Sequence, residues 1–186
     1  SDWETINRAN IAGTYNLFEA ARLEGVRRIV FASTNHVMGF YPRATVVGVD
    51  QTLLPDTRYG VSKAFGEALA ALYAHKYGAE VMVIRIGHVM PQPETVRDLS
   101  TWVSPRDLCQ LIRIGLDRLD LRYEVVFGVS NNARAWWDNA NAFRLGYRPE
   151  DGSEIHAARV LATDRPSADP REALNQGGAF CVSEGL

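Results

Sequence analysis

Three short apolar runs, each separated from the next by a helical pattern, constrain this chain more than any other feature. Arg28–Ser33, Glu80–Ile86 and Tyr123–Val129 are rich in β-branched and aromatic residues and lack an alternating polar face. Such runs suit strands buried on both sides. Around them the sequence predicts helices. One runs from Trp3 to Leu23, with an apolar stripe of Ile6, Ile11, Leu17, Phe18 and Ala21 and with Gly25 as its C-cap. A second starts at a cap supplied by Asp56 or Thr57 and ends at Gly78. A third is capped by Ser104, carries Pro105 at its first position and runs to about Leu119. A short fourth covers Trp136–Leu145 and stops at Gly146. Strands alternating with helices predict an α/β fold, a parallel sheet with helices on both faces. Gly39–Leu54 and Gly87–Ser100 read as loops, Glu154–Leu161 as helical, and Asp164–Leu186 as irregular.

In a parallel sheet, ligands bind at the carboxyl ends of the strands. Thr34-Asn35-His36 and Gly87-His88 follow two of the predicted strands, so both groups belong at that edge. Tyr59 and Lys63 stand at i and i+4 near the start of the second long helix, on one face of it. A phenol beside an ammonium makes a base and its activator, because a neighbouring cation favours the phenolate. The plainer reading is an exposed pair on a solvated helix. Asn10 and Gly13 lie inside the first helix, where a glycine marks close packing or close approach of another group.

The composition bounds the classes of function. A chain of 186 residues that is 46% hydrophobic and 23% charged suits one soluble domain, residues 1–186. The net charge of -2 and the absence of a basic run give no reason to expect nucleic acid. Cys109 and Cys181 have no metal-ligand spacing and no disulfide framework, so no metal is expected and a reducing cytoplasmic setting is the default. No apolar run is long enough to cross a bilayer.

Thr34, Tyr59 and Lys63, in that order and after a buried strand, resemble the Ser/Thr, Tyr-x-x-x-Lys triad of the extended short-chain dehydrogenase/reductases. Asn10-Ile-Ala-Gly-Thr14 resembles the helix that precedes that strand in the same family. Further blocks are similar to those of uronate dehydrogenases: Phe31–Tyr41, Ile84–Gly87, Ser100–Ser104, Trp136–Asn139 and Gln176–Phe180.

The resemblance implies a Rossmann-like doubly wound sheet, NAD as cofactor, and oxidation of a hexuronic acid, glucuronate or galacturonate, at C1 to the aldarolactone. It implies that Tyr59 is the base, Lys63 its activator and a holder of the nicotinamide ribose, and Thr34 a partner of the reacting oxygen. Asn10, Ile86 and Gly87 would lie along the cofactor, though core packing explains Ile86 and Gly87 nearly as well. Asn35 and His36 would bind sugar hydroxyls, His88 would stand where the family has a serine, and Arg97 would grip the C6 carboxylate in a two-pronged hydrogen bond. The competing readings are a structural histidine for His36 and a solvated loop arginine for Arg97. Trp102, Trp136 and Trp137 read as packing. A homo-oligomer is expected, with no membrane partner.

The family's Gly-x-x-Gly-x-x-Gly turn does not occur in this sequence. The chain therefore reads as the C-terminal part of such an enzyme. Residues 1–130 would be the remaining Rossmann helices and strands, and 131–186 a small substrate-side segment. A nucleotide-sugar epimerase or dehydratase shares the triad, but the residues left after the third strand are few for a nucleotide-binding lobe. A catalytically inactive assembly module is the alternative of another class.

Overall fold

The computed structural model describes residues 2–165 and 167–183. Among the described residues there are five strands: β1 (Arg28–Thr34), β2 (Glu80–Ile86), β3 (His88–Val89), β4 (Trp102–Val103) and β5 (Tyr123–Gly128). The helices are α1 (Trp3–Ile6), α2 (Gly13–Leu23), α3 (Arg58–Tyr77), α4 (Asp98–Thr101), α5 (Pro105–Asp117), α6 (Ala140–Arg144), α7 (Ala157–Thr163), α8 (Pro170–Leu174) and α9 (Phe180–Ser183). The main sheet is parallel, in the order β1-β2-β5, and β3 and β4 form a small parallel pair beside it.

β2 is the spine of the core. Its side chains alternate between two apolar clusters. Val81 and Val83 pack with Phe18 of α2 and with Leu69, Ala70 and Tyr73 of α3. Met82 and Ile84 pack with Leu111 of α5 and with Leu121, Val126 and Tyr147. Helices thus cover both faces, and a strand between them has no use for a polar side chain. Burying these four β2 side chains contributes about 6–12 kcal/mol gross, an upper estimate that chain entropy opposes.

α3 begins where Thr57 Oγ1 accepts the Gly60 N–H at 3.0 Å. It ends at Gly78, whose left-handed φ of 72° lets its N–H close on the last turn. The helix sits flush on the strand below. A Cβ at Gly66 would fall 2.2 Å from the Phe31 ring, and one at Gly60 would fall 2.6 Å from the His36 carbonyl oxygen. Beneath this contact is a buried ion pair. Arg85 Nη2 meets Glu67 Oε2 at 2.8 Å, and the Ser33 hydroxyl donates to Glu67 Oε1 at 2.6 Å.

The structure departs from the sequence reading in several places. The first helix is interrupted by a π-helical turn, Asn7–Ala12, in which Asn10 Nδ2 donates to Ser62 Oγ of α3 at 2.9 Å. The fourth predicted helix is only Ala140–Arg144. Trp137 instead stacks on Phe127, with centroids 5.1 Å apart, and bridges to Val47. The third long helix stops at Asp117, and the predicted 87–100 loop contains β3 and the start of α4. The tail read as irregular forms α8 and α9, while residues 166 and 184–186 of that stretch lie outside the described residues.

Candidate functional site

The strand register brings the predicted residues to one edge. Thr34 pairs with Ile86, and Ile86 with Gly128, so all three main strands end together. The first turn of α3 faces this edge. Between them opens a cavity of about 890 Å³, lined by Asn10, Thr34, His36, Tyr59 and Gly87, by Ile6 and Ala9, and by Phe180 and Ser183 of α9. That volume is within the range of small-ligand sites.

Tyr59 is half-buried and lines the cavity together with Thr34. Burial raises its pKa above the ordinary 10.0, and the nearby Thr34 side chain works against that rise. Lys63, one turn further on, is also half-buried, and burial lowers its pKa. Its Nζ donates to the Ala32 carbonyl at 2.9 Å and stands 5.9 Å from the Tyr59 ring centre. The expectation that Lys63 draws the Tyr59 pKa down is therefore corrected for this arrangement. The ammonium is turned to the end of β1, and desolvation of the phenol prevails. Asn10 is held against the same turn, because Ser62, its partner, donates in turn to the Tyr59 carbonyl at 2.7 Å.

His36 lies in the short 3-10 turn after β1. Its backbone N–H donates to Thr34 Oγ1 at 3.3 Å, its Nδ1 is 2.7 Å from Asp56 Oδ2, and Phe180 stacks on the ring at 3.9 Å between centroids. Asn35 Nδ2 donates to the Ile86 carbonyl at 3.0 Å, and its Oδ1 accepts from Arg97 Nη2 at 2.9 Å. Arg97 Nε donates to the Gln176 carbonyl at 2.8 Å. Its partners are thus neutral oxygens, and burial depresses its pKa, with Asp98 and Asp56 opposing that from a distance.

The structure does not bring every expected residue to the cavity wall. Asn10, Thr34, His36, Tyr59 and Gly87 line it, whereas Lys63, Asn35, Ile86, His88 and Arg97 stand behind or beside it. His88 is turned to Asp98, Nδ1 to Oδ1 at 2.6 Å, with its side chain half exposed. That hydrogen bond raises the His88 pKa. The Ile86 carbonyl is taken by Asn35, and its side chain packs on the core.

Sequence reasoning missed Asp56 and Phe180. The choice of helix cap was open between Asp56 and Thr57. Thr57 caps, which leaves the Asp56 carboxylate for His36. For Phe180 the available signal was Gly177-Gly178 just before it, a turn that allows the tail to fold back over the site.

A dinucleotide fits this geometry at one end. The cavity offers a phenol, an amide, hydroxyls and small backbone at Gly87, which suit the nicotinamide and its ribose. Nothing in the sequence supplies a Gly-rich phosphate turn, so the fit covers the nicotinamide end only.

Known proteins carry the same arrangement of sequence. The chain is 44% identical to a uronate dehydrogenase of Pseudomonas syringae pv. tomato, over 97% of the chain and 66% of that protein. It is 45% identical to the uronate dehydrogenase of Agrobacterium fabrum, over 96% of the chain and 68% of that protein. It superimposes with a TM-score of 0.92 on a variant of the Agrobacterium tumefaciens uronate dehydrogenase complexed with NAD, at 43% identity, covering 97% of the chain and 69% of that structure. The chain thus spans about two thirds of the length of these relatives. The model of the NAD dependent epimerase/dehydratase family matches residues 1–138. With the strand-edge site and its Thr34–Tyr59 pair in the same stretch, the chain belongs to the NAD dependent epimerase/dehydratase family.

Proposed function

We propose that this chain carries the acid–base and sugar-holding part of an NAD-dependent uronate dehydrogenase, which oxidises glucuronate or galacturonate at C1 to the aldarolactone. The observation that carries the reading is the meeting of Thr34 and Tyr59 on the wall of the strand-edge cavity, in a chain similar to uronate dehydrogenases along nearly its whole length. When bound, NAD supplies the hydride acceptor.

The chain's own groups do the rest. Tyr59, once ionised, takes the proton of the C1 hydroxyl, so that C1 can release its hydride and become the lactone carbonyl. The Thr34 hydroxyl donates to the same oxygen and holds it in place. Lys63, tethered to the end of β1 by the Ala32 carbonyl, is assigned to the nicotinamide ribose. His36 receives a sugar hydroxyl. Arg97 meets the C6 carboxylate, a reading supported by a half-buried guanidinium bonded to neutral oxygens. In this role Asn35 orients Arg97 rather than the sugar, and His88 faces the outer rim.

The segment after residue 130 is the substrate side, because it delivers Phe180 to the cavity. A reducing cytoplasmic setting suits the free thiols Cys109 and Cys181, and no described helix is long and apolar enough to cross a membrane. Exposed Leu72 and Tyr77 on α3 support self-association.

The test is turnover. This chain is assayed alone and with the N-terminal third of the Agrobacterium fabrum relative joined ahead of it, against glucuronate and galacturonate with NAD and against a UDP-sugar. NADH formed with a free uronate supports the reading. Turnover of the UDP-sugar only would replace it with an epimerase or dehydratase.

A further inference from the structure

Asp56 is a buried carboxylate with no part in proton or hydride transfer, and its surroundings are unusually closed. Its side chain has no solvent exposure. Oδ1 accepts from Thr57 Oγ1 at 3.1 Å, and Oδ2 lies 2.7 Å from His36 Nδ1. Two glycines from distant parts of the chain close over it. A Cβ at Gly39 would fall 1.9 Å from Oδ2, and a Cβ at Gly177 would fall 2.0 Å from the same atom. The Gly177 N–H donates to the Gly39 carbonyl at 2.8 Å, which ties the two segments together over the carboxylate.

A carboxylate withdrawn from water is costly unless it is paired and hydrogen-bonded. An ionised carboxylate only accepts hydrogen bonds, so the short contact requires the proton to sit on His36 Nδ1. Nε2 is then the ring nitrogen left for the cavity that His36 lines. Phe180 stacks on the ring at 3.9 Å and blocks its rotation.

We propose that Asp56 is a positioning residue for substrate recognition: sealed beneath Gly39 and Gly177, it fixes the tautomer and orientation of His36 so that Nε2 is presented to a sugar hydroxyl. The role of His36 toward the sugar rests on the uronate reading above, whereas the fixed tautomer does not. The C-terminal turn at Gly177 thereby reaches the substrate without touching it.

The test has two arms. Nitrogen-15 NMR of histidine-labelled chain reads the tautomer without turnover, and the sequence has only four histidines to assign. The expected result is a protonated Nδ1 on His36, with the His36 signals moving in Asp56→Asn while the other histidines stay in place. A bare Nδ1 on His36, or His36 signals that Asp56→Asn leaves unmoved, would overturn the proposal. In the turning-over form, Asp56→Asn is expected to raise the KM for the uronate about tenfold, with kcat and the KM for NAD nearly unchanged. In a His36→Ala background the same substitution should add nothing, because Asp56 acts only through that ring. An undiminished Asp56→Asn effect in that background would assign Asp56 a merely structural role. Should Asp56→Asn fail to fold, Gly177→Ala displaces the intact carboxylate and is expected to show the same KM shift, again absent in His36→Ala. Loss of all uronate turnover with the NMR result intact would sink the functional reading and leave the Asp56–His36 pair standing.

Discussion

Replacing Glu67 with alanine should be among the most destabilising single changes in this chain. Glu67 and Arg85 are each almost fully buried, with side-chain exposures of 5% and 4%. The guanidinium gives Nε and Nη2 to the carboxylate at 3.0 and 2.8 Å, and Nη1 to the Val49 carbonyl at 3.1 Å. Removing the carboxylate leaves a buried cation with one neutral partner and leaves the Ser33 hydroxyl without its acceptor. Breaking a buried pair from one side costs about 3–5 kcal/mol. In a chain of this size that lowers the melting temperature by roughly 6–20 °C. The assay is thermal unfolding followed by circular dichroism, with Arg85→Met, Glu67→Leu as the companion. That double change removes the charges together and should recover most of the loss, since well-packed apolar residues often replace a buried ion pair without penalty. A loss below about 1 kcal/mol in Glu67→Ala would refute the reasoning. So would a double variant that melts lower than the single one. The pair joins β1, α3 and β2 through Ser33, the residue before Thr34, so its loss should also loosen the site.

Two further outcomes follow from the titrating groups. Thr34→Ala removes the hydroxyl that restrains the rise of the Tyr59 pKa. The rising limb of kcat/KM with pH should then move to higher pH, with a loss of about 10²-fold at neutral pH, and Thr34→Ser should restore both. For Asp98, burial pushes the pKa up, but hydrogen bonds from His88 and the Thr95 and Glu94 amides outweigh it and hold the carboxyl at about 2. Its contribution, about 2 kcal/mol, is present above the ordinary 3.8 and is lost as pH falls toward 2. The raised His88 pKa gives the opposite limb, complete below 6.5 and lost as pH rises through the folded value, and shallower because the ring is half exposed. Asp98→Asn should flatten both limbs in a plot of melting temperature against pH.

What the sequence made legible, and what it concealed, divides along physical lines. β2 is readable because a strand between two helical layers must be apolar throughout, and Val81–Ile84 is. α3 is readable because its ends carry cap chemistry, Thr57 and Gly78. The parallel edge follows from those elements, and with it the meeting of Thr34, Tyr59 and Gly87. Trp136–Leu145 misled because its apolar spacing mimics a helical stripe, whereas Trp137 is claimed by Phe127, Val47 and the Gln176 side chain. The tail has no periodicity of its own. Its path is set by tertiary hydrogen bonds from Gln176 to Pro42 and Thr45. Asp56 and His36 are separated by a loop, and no local pattern records that their side chains meet. The direction of the Tyr59 pKa is hidden from the sequence for a related reason. Spacing on a helix brings Lys63 near, but only the fold shows that its ammonium is held by Ala32 and that burial of the phenol prevails.

The measurement that bears most directly on the account is uronate oxidation by Tyr59→Phe, followed by NADH absorbance in the form that turns over, beside a titration of NAD binding. The account predicts a kcat lower by about 10²–10⁴-fold with NAD binding retained. A Tyr59→Phe protein that oxidises glucuronate or galacturonate within about tenfold of the parent rate would contradict it.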